Sequence, residues 1–136
     1  MLRLYDTALK AVTEIEPNDG HTLKIYACGP TVYRTAHVGN LRTFLLTDLI
    51  VRAAELADYE TLVVQNITDV GHMLNDSQDK LLQQASLEGK SALEIAAYYE
   101  AIFQKDLELL NIIPADQYPH ASESIELMQR LIALLM

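Results

Sequence analysis

Two strand patterns flanking one long helical pattern, between Leu23 and Ile67, constrain this chain more than any other feature. Leu23, Ile25 and Ala27 alternate with Lys24, Tyr26 and Cys28, a period of two that ends at Gly29 and Pro30. From Leu41 the positions Leu41, Phe44, Leu45, Leu49, Arg52 (through its stem), Ala53 and Leu56 follow helical spacing, and they predict a helix over roughly 39–57. The apolar run Thr61 to Val64, followed by Gln65, Asn66 and Ile67, reads as a buried strand. Strand, helix, strand in this order predicts a right-handed parallel unit, an α/β fold of the Rossmann type. Ligands of such sheets lie beyond the carboxyl ends of the strands, so Cys28–Thr31 and Asn66–Asp69 are expected to converge on one crevice.

Past Gly71 the pattern becomes helical. Asn75 to Gln78 reads as a polar loop entering a helix near Asp79 to Glu88, which Gly89 stops, and Ser91 with Glu94 forms a capping box for the next helix. Leu93, Ala96, Tyr99, Phe103, Leu107 and Leu110 supply the apolar face of that helix, which ends before Pro114. A last helix starts at about Ser122, and its apolar positions Ile125, Met128, Leu131, Ile132 and Leu135 run on to Met136 without a glycine or polar stop. The expectation is a chain cut in mid-structure. Near the start, Asn18, Asp19 and Gly20 form a turn. The 136 residues read as one unit, with the sheet and its helix in about 1–70 and a helical part in about 71–136.

Composition sets the class of partner. A chain that is 50% apolar and 21% charged should fold around one core. Its net charge of −9 opposes the basic footprint of a self-sufficient nucleic-acid binder, so any RNA contact needs other residues. The start MLRLYDTALK lacks the apolar core of a signal peptide, and no apolar run approaches the roughly 18 residues of a membrane helix. A cytoplasmic location without membrane contact is the default. The single cysteine forms no internal disulfide, in agreement with a reducing compartment.

The chemistry-bearing residues gather in YACGPTVYRTAHVGN, Tyr26 to Asn40. Cys28 stands at the strand end, and His37, Val38, Gly39 and Asn40 open the helix, where free backbone donors favour phosphate. His37 can set a ring nitrogen against a phosphate, Gly39 removes a side chain that would keep a nucleotide away, and Asn40 can donate a further hydrogen bond. The competing readings are a histidine that only caps its helix and a cysteine that is only a small buried residue.

CGPTVY, then LRTF, then QNITDV closely resemble the amino-terminal half of the catalytic domain of the cysteinyl-tRNA synthetase family. The opening LRLYDT, the HVGN form of the family's HIGH signature, and KDLELLNI with its following proline extend the resemblance over nearly all 136 residues. It implies an incomplete Rossmann-like parallel sheet of the HIGH-motif nucleotidyltransferase type with a helical carboxyl-terminal portion. It implies ATP-dependent activation of cysteine, with magnesium accompanying ATP, and transfer of cysteine to cysteine tRNA by a longer enzyme. His37, Gly39 and Asn40 would bind ATP, and His37 and Asn40 would stabilise attack of the carboxylate on the α-phosphate. Cys28 would be the first ligand of a zinc ion that sorts a thiolate from the hydroxyl of serine. Gly29, Thr31 and Thr68 would lie near the amino acid.

The resemblance also implies that the other zinc ligands and the KMSKS loop lie downstream, with His21, His72 and His120 left as surface or loop residues. Thr68 and Asp69 are equally readable as a turn in which Asp69 bonds nearby backbone. Arg42 is either a phosphate contact or an exposed helical arginine. Two rival functions are a ligase joining cysteine to an amino sugar in mycothiol synthesis and a non-catalytic nucleotide-binding or regulatory paralogue. Half of a site implies negligible activity for these residues alone, and uncovered apolar surface that promotes self-association.

Overall fold

The computed structural model describes residues 1–71, 73–75 and 78–136, with 73–75 and 78–80 given by their backbone path; His72 lies outside the described residues. Strands β1 (Leu2–Asp6) and β2 (Ala11–Ile15) form an antiparallel hairpin, Leu2 opposite Ile15 and Asp6 opposite Ala11. Asp6 turns the chain: its Oδ1 accepts the N–H groups of Ala8 and Leu9 at 2.7 and 2.9 Å. The turn expected at Asn18 to Gly20 is present. Gly20 adopts φ 76°, and Asp19 Oδ1 accepts from the N–H groups of Thr22 (2.7 Å) and His21 (2.9 Å), bonds that hold its carboxyl below the usual range.

Strand β3 (Thr22–Ala27), helix α1 (Val38–Leu56) and strand β4 (Glu60–Gln65) form the expected unit, with β3 and β4 parallel and in register from Thr22 opposite Glu60 to Ala27 opposite Gln65. A further extended segment was not foreseen. Residues 116–121 run parallel to β4 on its other side: Val63 O accepts from Asp116 N, Gln65 N donates to Gln117 O, Ile67 N to Pro119 O, and Ala121 N to Ile67 O, all at 2.9–3.0 Å. Pro119 lacks an N–H and here serves only as an acceptor, which suits a strand at a sheet edge. The result is a mixed α/β structure built on a small parallel sheet.

The buried face of α1 is Phe44, Asp48, Val51 and Ala54, whereas Leu45, Leu49 and Leu56 of the expected face are exposed. The helix is apolar on several sides, so spacing alone does not select a face. Tertiary partners do. Asp48 sits on the buried face because its carboxylate accepts from Ile113 N and Arg52 Nε, each at 2.8 Å, while Arg52 Nη2 donates to Asn111 O at 2.7 Å. Arg52, expected to contribute through its stem, acts through its guanidinium.

Where a polar loop was expected, strands β5 (Met73–Asn75) and β6 (Gln78–Asp79) pair antiparallel; the residues between them lie outside the description. Helix α2 (Lys80–Glu88) ends at Gly89, which takes φ 64°, and helix α3 (Ala92–Leu109) starts with the expected Ser91 and Glu94 capping box. Glu88 fastens the corner. It accepts from Gln84 (2.8 Å), Lys90 (3.0 Å) and Tyr99 Oη (3.0 Å), and these bonds hold its carboxyl at about 2. The buried face of α3 is Ile95, Ala96, Phe103 and Leu107; Leu93 and Leu110 are exposed, a rotation of the face that Ile95, fully buried, defines.

The main core gathers Val32, Phe44, Ile67, Leu81, Ile95, Phe103, Leu107 and Ile112, with Phe44 and Phe103 edge to face at 5.1 Å. A smaller cluster of Leu2, Leu23 and Ala54 seats the β1–β2 hairpin on the far end of α1. After a 3₁₀ turn at Ser122–Ser124, helix α4 (Ile125–Leu135) leaves all its apolar residues exposed. No described helix is long and apolar enough to cross a membrane.

Candidate functional site

Past their last regular pair, Ala27 and Gln65, the loops that leave β3 and β4 stay bonded to each other. Thr68 N donates to Pro30 O at 3.0 Å, Val32 N donates to Thr68 O at 3.2 Å, and Thr31 and Thr68 form an isolated parallel bridge. Asn66 joins the same knot: its Oδ1 accepts from Gly29 N at 3.0 Å and from Tyr26 Oη at 3.1 Å, while its Nδ2 donates to Thr68 Oγ1 at 3.1 Å. Gly29 is needed for this approach, because a Cβ there would lie 1.6 Å from the carbonyl oxygen of Asn66. Cys28, Gly29, Thr31 and Thr68 are therefore neighbours at the carboxyl ends of two parallel strands.

The thiol of Cys28 is exposed, so the buried reading of that residue does not hold. Asp69 is 4% exposed, and the local-turn reading fails as well: its carboxylate accepts from both N and Oγ of Ser122, fixing the turn before α4. Asn66 was expected at the crevice as the first residue of Asn66–Asp69, but no role was assigned to it. Its signal was its position at the end of a strand, two residues before a threonine in the same loop.

At the start of α1, His37 is the N-cap, in extended conformation (φ −92°, ψ 169°). Its Nδ1 accepts from Gly39 N at 3.0 Å, and Asn40 Oδ1 accepts from His37 N at 3.2 Å, a reciprocal capping box. Asn40 N is bonded to His37 O at 2.9 Å. Three of the first four N–H groups, those of His37, Gly39 and Asn40, thus have partners, which corrects the expectation of an open row of backbone donors. The cap instead sets the side chains. A backbone N–H can only donate, so Nδ1 is an acceptor and a neutral ring carries its proton on Nε2. Asn40 Oδ1 is likewise engaged, leaving Nδ2 as a donor with no partner among the described residues. His37 and Asn40 are both exposed, and no acid occupies the first turn to compete with an anion. Gly39 lets the ring fold over the cap: a Cβ there would stand 2.7 Å from His37 Cε1.

Between the Cys28 loop and α3 lies a cleft of about 250 Å³. Gly29, Thr31, Tyr33, Arg34 and Asn40 line one side, and Phe44, Tyr99 and Phe103 form the apolar part. The cleft thus unites Gly29, Thr31 and Asn40 of the expected residues, while Cys28, His37, Gly39 and Thr68 stand outside its lining. Tyr33, Arg34 and Tyr99 were not anticipated; Arg34 lies 5.2 Å from the centre of the Tyr33 ring. Arg42 is exposed in a shallow depression with Gly39 and Leu46.

The donors present do not make a zinc site. Cys28 is one sulfur, and no group of three His, Cys, Asp or Glu side chains is placed to hold a metal among the described residues. His21 is exposed at the turn, as expected. His120, read as a surface or loop residue, is half-buried and held there: its Nε2 lies 2.9 Å from Glu100 Oε2, and that carboxylate, ahead of the opposing effect of burial, raises the pKa of the ring.

Residues 14–136 match the family of tRNA synthetases class I (C), catalytic domain. The chain is 38% identical over 138 residues to a cysteine–tRNA ligase of Borrelia turicatae, covering 99% of this chain and 28% of that protein. It is 40% identical over 139 residues to a cysteine–tRNA ligase of Treponema denticola, covering 97% of this chain and 28% of that protein. A third such ligase, of Treponema pallidum, is 37% identical, with 99% and 26% covered. The chain thus spans little more than a quarter of the length of the curated relatives it matches. On the match over residues 14–136, the chain belongs to the family of class I (C) tRNA synthetase catalytic domains.

Proposed function

We propose that this chain is a Rossmann-type part of a cysteine–tRNA ligase, in which ATP activates cysteine for transfer to its tRNA. The reading is carried by the start of α1, where the cap leaves His37 Nε2 and Asn40 Nδ2 as exposed donors at the helix's positive end. A carboxylate oxygen of cysteine attacks the α-phosphorus of ATP; the new C–O–P linkage forms, and the bond to pyrophosphate breaks. Negative charge builds on the phosphate oxygens in that step. Donors fixed in advance stabilise it more than reorienting water does, and magnesium, arriving with ATP, shares the charge. Gly39 admits the nucleotide beside His37.

On this reading the amino acid lies against Gly29, Thr31 and Thr68, where the two strand ends meet. Cys28 contributes one thiolate to a zinc site whose further donors are not among the described residues. Strands β1 to β4 and α1, about residues 1–70, carry the chemistry, and about 71–136 support them, adding the 116–121 segment to the sheet. The names of the relatives favour a tRNA ligase over an amino-sugar ligase or a non-catalytic paralogue. A cytoplasmic place of action belongs to the same proposal.

The test is cysteine-dependent exchange of pyrophosphate into ATP by the full-length protein, together with charging of cysteine tRNA. His37→Asn keeps a side-chain acceptor for the cap and removes the Nε2 donor, so it is expected to lower kcat by about 10²–10³ with little change in stability. Asn40→Ala should act in the same direction. Absence of exchange in the unmodified protein, or an undiminished rate in both variants, would overturn the reading.

A further inference from the structure

Asn66 stands apart from every residue assigned so far, because one side chain bonds both loops of the crevice. Its Oδ1 accepts from Gly29 N, and a backbone N–H has no other role than donor. That bond decides which way round the amide lies. Nδ2 must then face Thr68, and Thr68 Oγ1, at 3.1 Å, must accept. With a lone pair of Oγ1 engaged in this way, the hydroxyl proton of Thr68 is directed elsewhere, and it meets no acceptor among the described residues.

We infer that Asn66 is a positioning residue for amino-acid binding: it polarises Thr68 so that its hydroxyl donates to an acceptor on the substrate, such as the carboxylate. The inference rests on the proposed function, which sets Thr68 beside the amino acid. Three observations fit it. The amide spans both loops, from Gly29 on one to Thr68 on the other. Tyr26 Oη adds a second donor to Oδ1 at 3.1 Å, so the oxygen end is doubly held. The carbonyl of Asn66 is also the atom against which Gly29 packs, so its backbone has little freedom to let the side chain turn over.

Asn66→Asp separates this role from simple support. Aspartate keeps an oxygen for Gly29 N and Tyr26 Oη but presents a second oxygen to Thr68, whose hydroxyl then donates inward and offers the substrate only lone pairs. In full-length enzyme, the KM for cysteine in pyrophosphate exchange should rise about tenfold or more, with the KM for ATP and the melting temperature nearly unchanged. Thr68→Val should raise the same KM, and the double variant should be no worse than the more affected single one. Additive effects, or an unchanged KM for cysteine in a folded Asn66→Asp enzyme, would overturn the inference while leaving the function intact. Lack of cysteine-dependent exchange in the unmodified enzyme would overturn the functional reading and this inference with it.

Discussion

Gly29 illustrates how a single residue can be required for a reason unrelated to ligand contact. Its backbone lies so close to the end of β4 that a methyl group would overlap Asn66 O, at 1.6 Å. Backbone cannot swing aside as a flexible side chain can, so the strand ends must part. Gly29→Ala is expected to lower stability by about 1–3 kcal/mol or more, measured by urea unfolding. It should also break the Thr31 and Thr68 bridge, read as faster amide exchange at Val32 and Thr68. His37 shows the converse economy: one nitrogen caps the helix, and by doing so it fixes the proton on the other.

At the scale of elements, the joint between α3 and the 116–121 segment is expected to depend on pH. Glu100 on α3 holds His120, with Asp69 and, at 4.0 Å, Glu123 adding negative charge around the ring. The folded pKa is therefore above the unfolded value of about 6.5. Protonated His120 stabilises the fold fully below that unfolded value, and the contribution is lost as pH rises through the folded one. Stability measured across about pH 6 to 8 should fall in the unmodified chain and change less in Glu100→Gln; equal slopes would remove this pair as the cause. Helix α1 carries a second lesson at this scale. Asp48, a carboxylate, lies on its buried face, and Leu45 and Leu49 do not, because Asp48 finds two donors and the leucines find no partner face.

For the molecule as a whole, the apolar surface left in water is large. Leu45, Leu46 and Leu49 on α1 and Leu131, Ile132, Leu134 and Leu135 on α4 are all exposed. The 136-residue chain by itself is expected to self-associate at micromolar concentration in sedimentation velocity. Leu45→Gln with Leu49→Gln should weaken that association without loss of helix content. A monomeric, cooperatively melting chain would show that these faces do not drive association.

Local pattern was enough to read the β3, α1, β4 unit, the Gly89 stop, the Ser91 cap and the place of Cys28 to Asn40 between β3 and α1, because turn chemistry and short periodicities reside in neighbouring residues. It was not enough for the third parallel strand at 116–121, since a segment bordered by Pro114 and Pro119 becomes a strand only through β4's open edge. Nor did it reveal the bonds of Asn66 to Gly29 or of Ser122 to Asp69, partners that lie 37 and 53 residues away. By itself the sequence determined on which loops, or at which helix start, the candidate residues Cys28, Gly29, Thr31, His37, Asn40 and Thr68 sit. The tertiary structure decided which faces of α1 and α3 are buried, which nitrogen of His37 holds its proton, and which way Thr68 is polarised. The physical reason is that hydrogen-bond direction and buried surface are properties of pairs, and their second members come from distant parts of the chain.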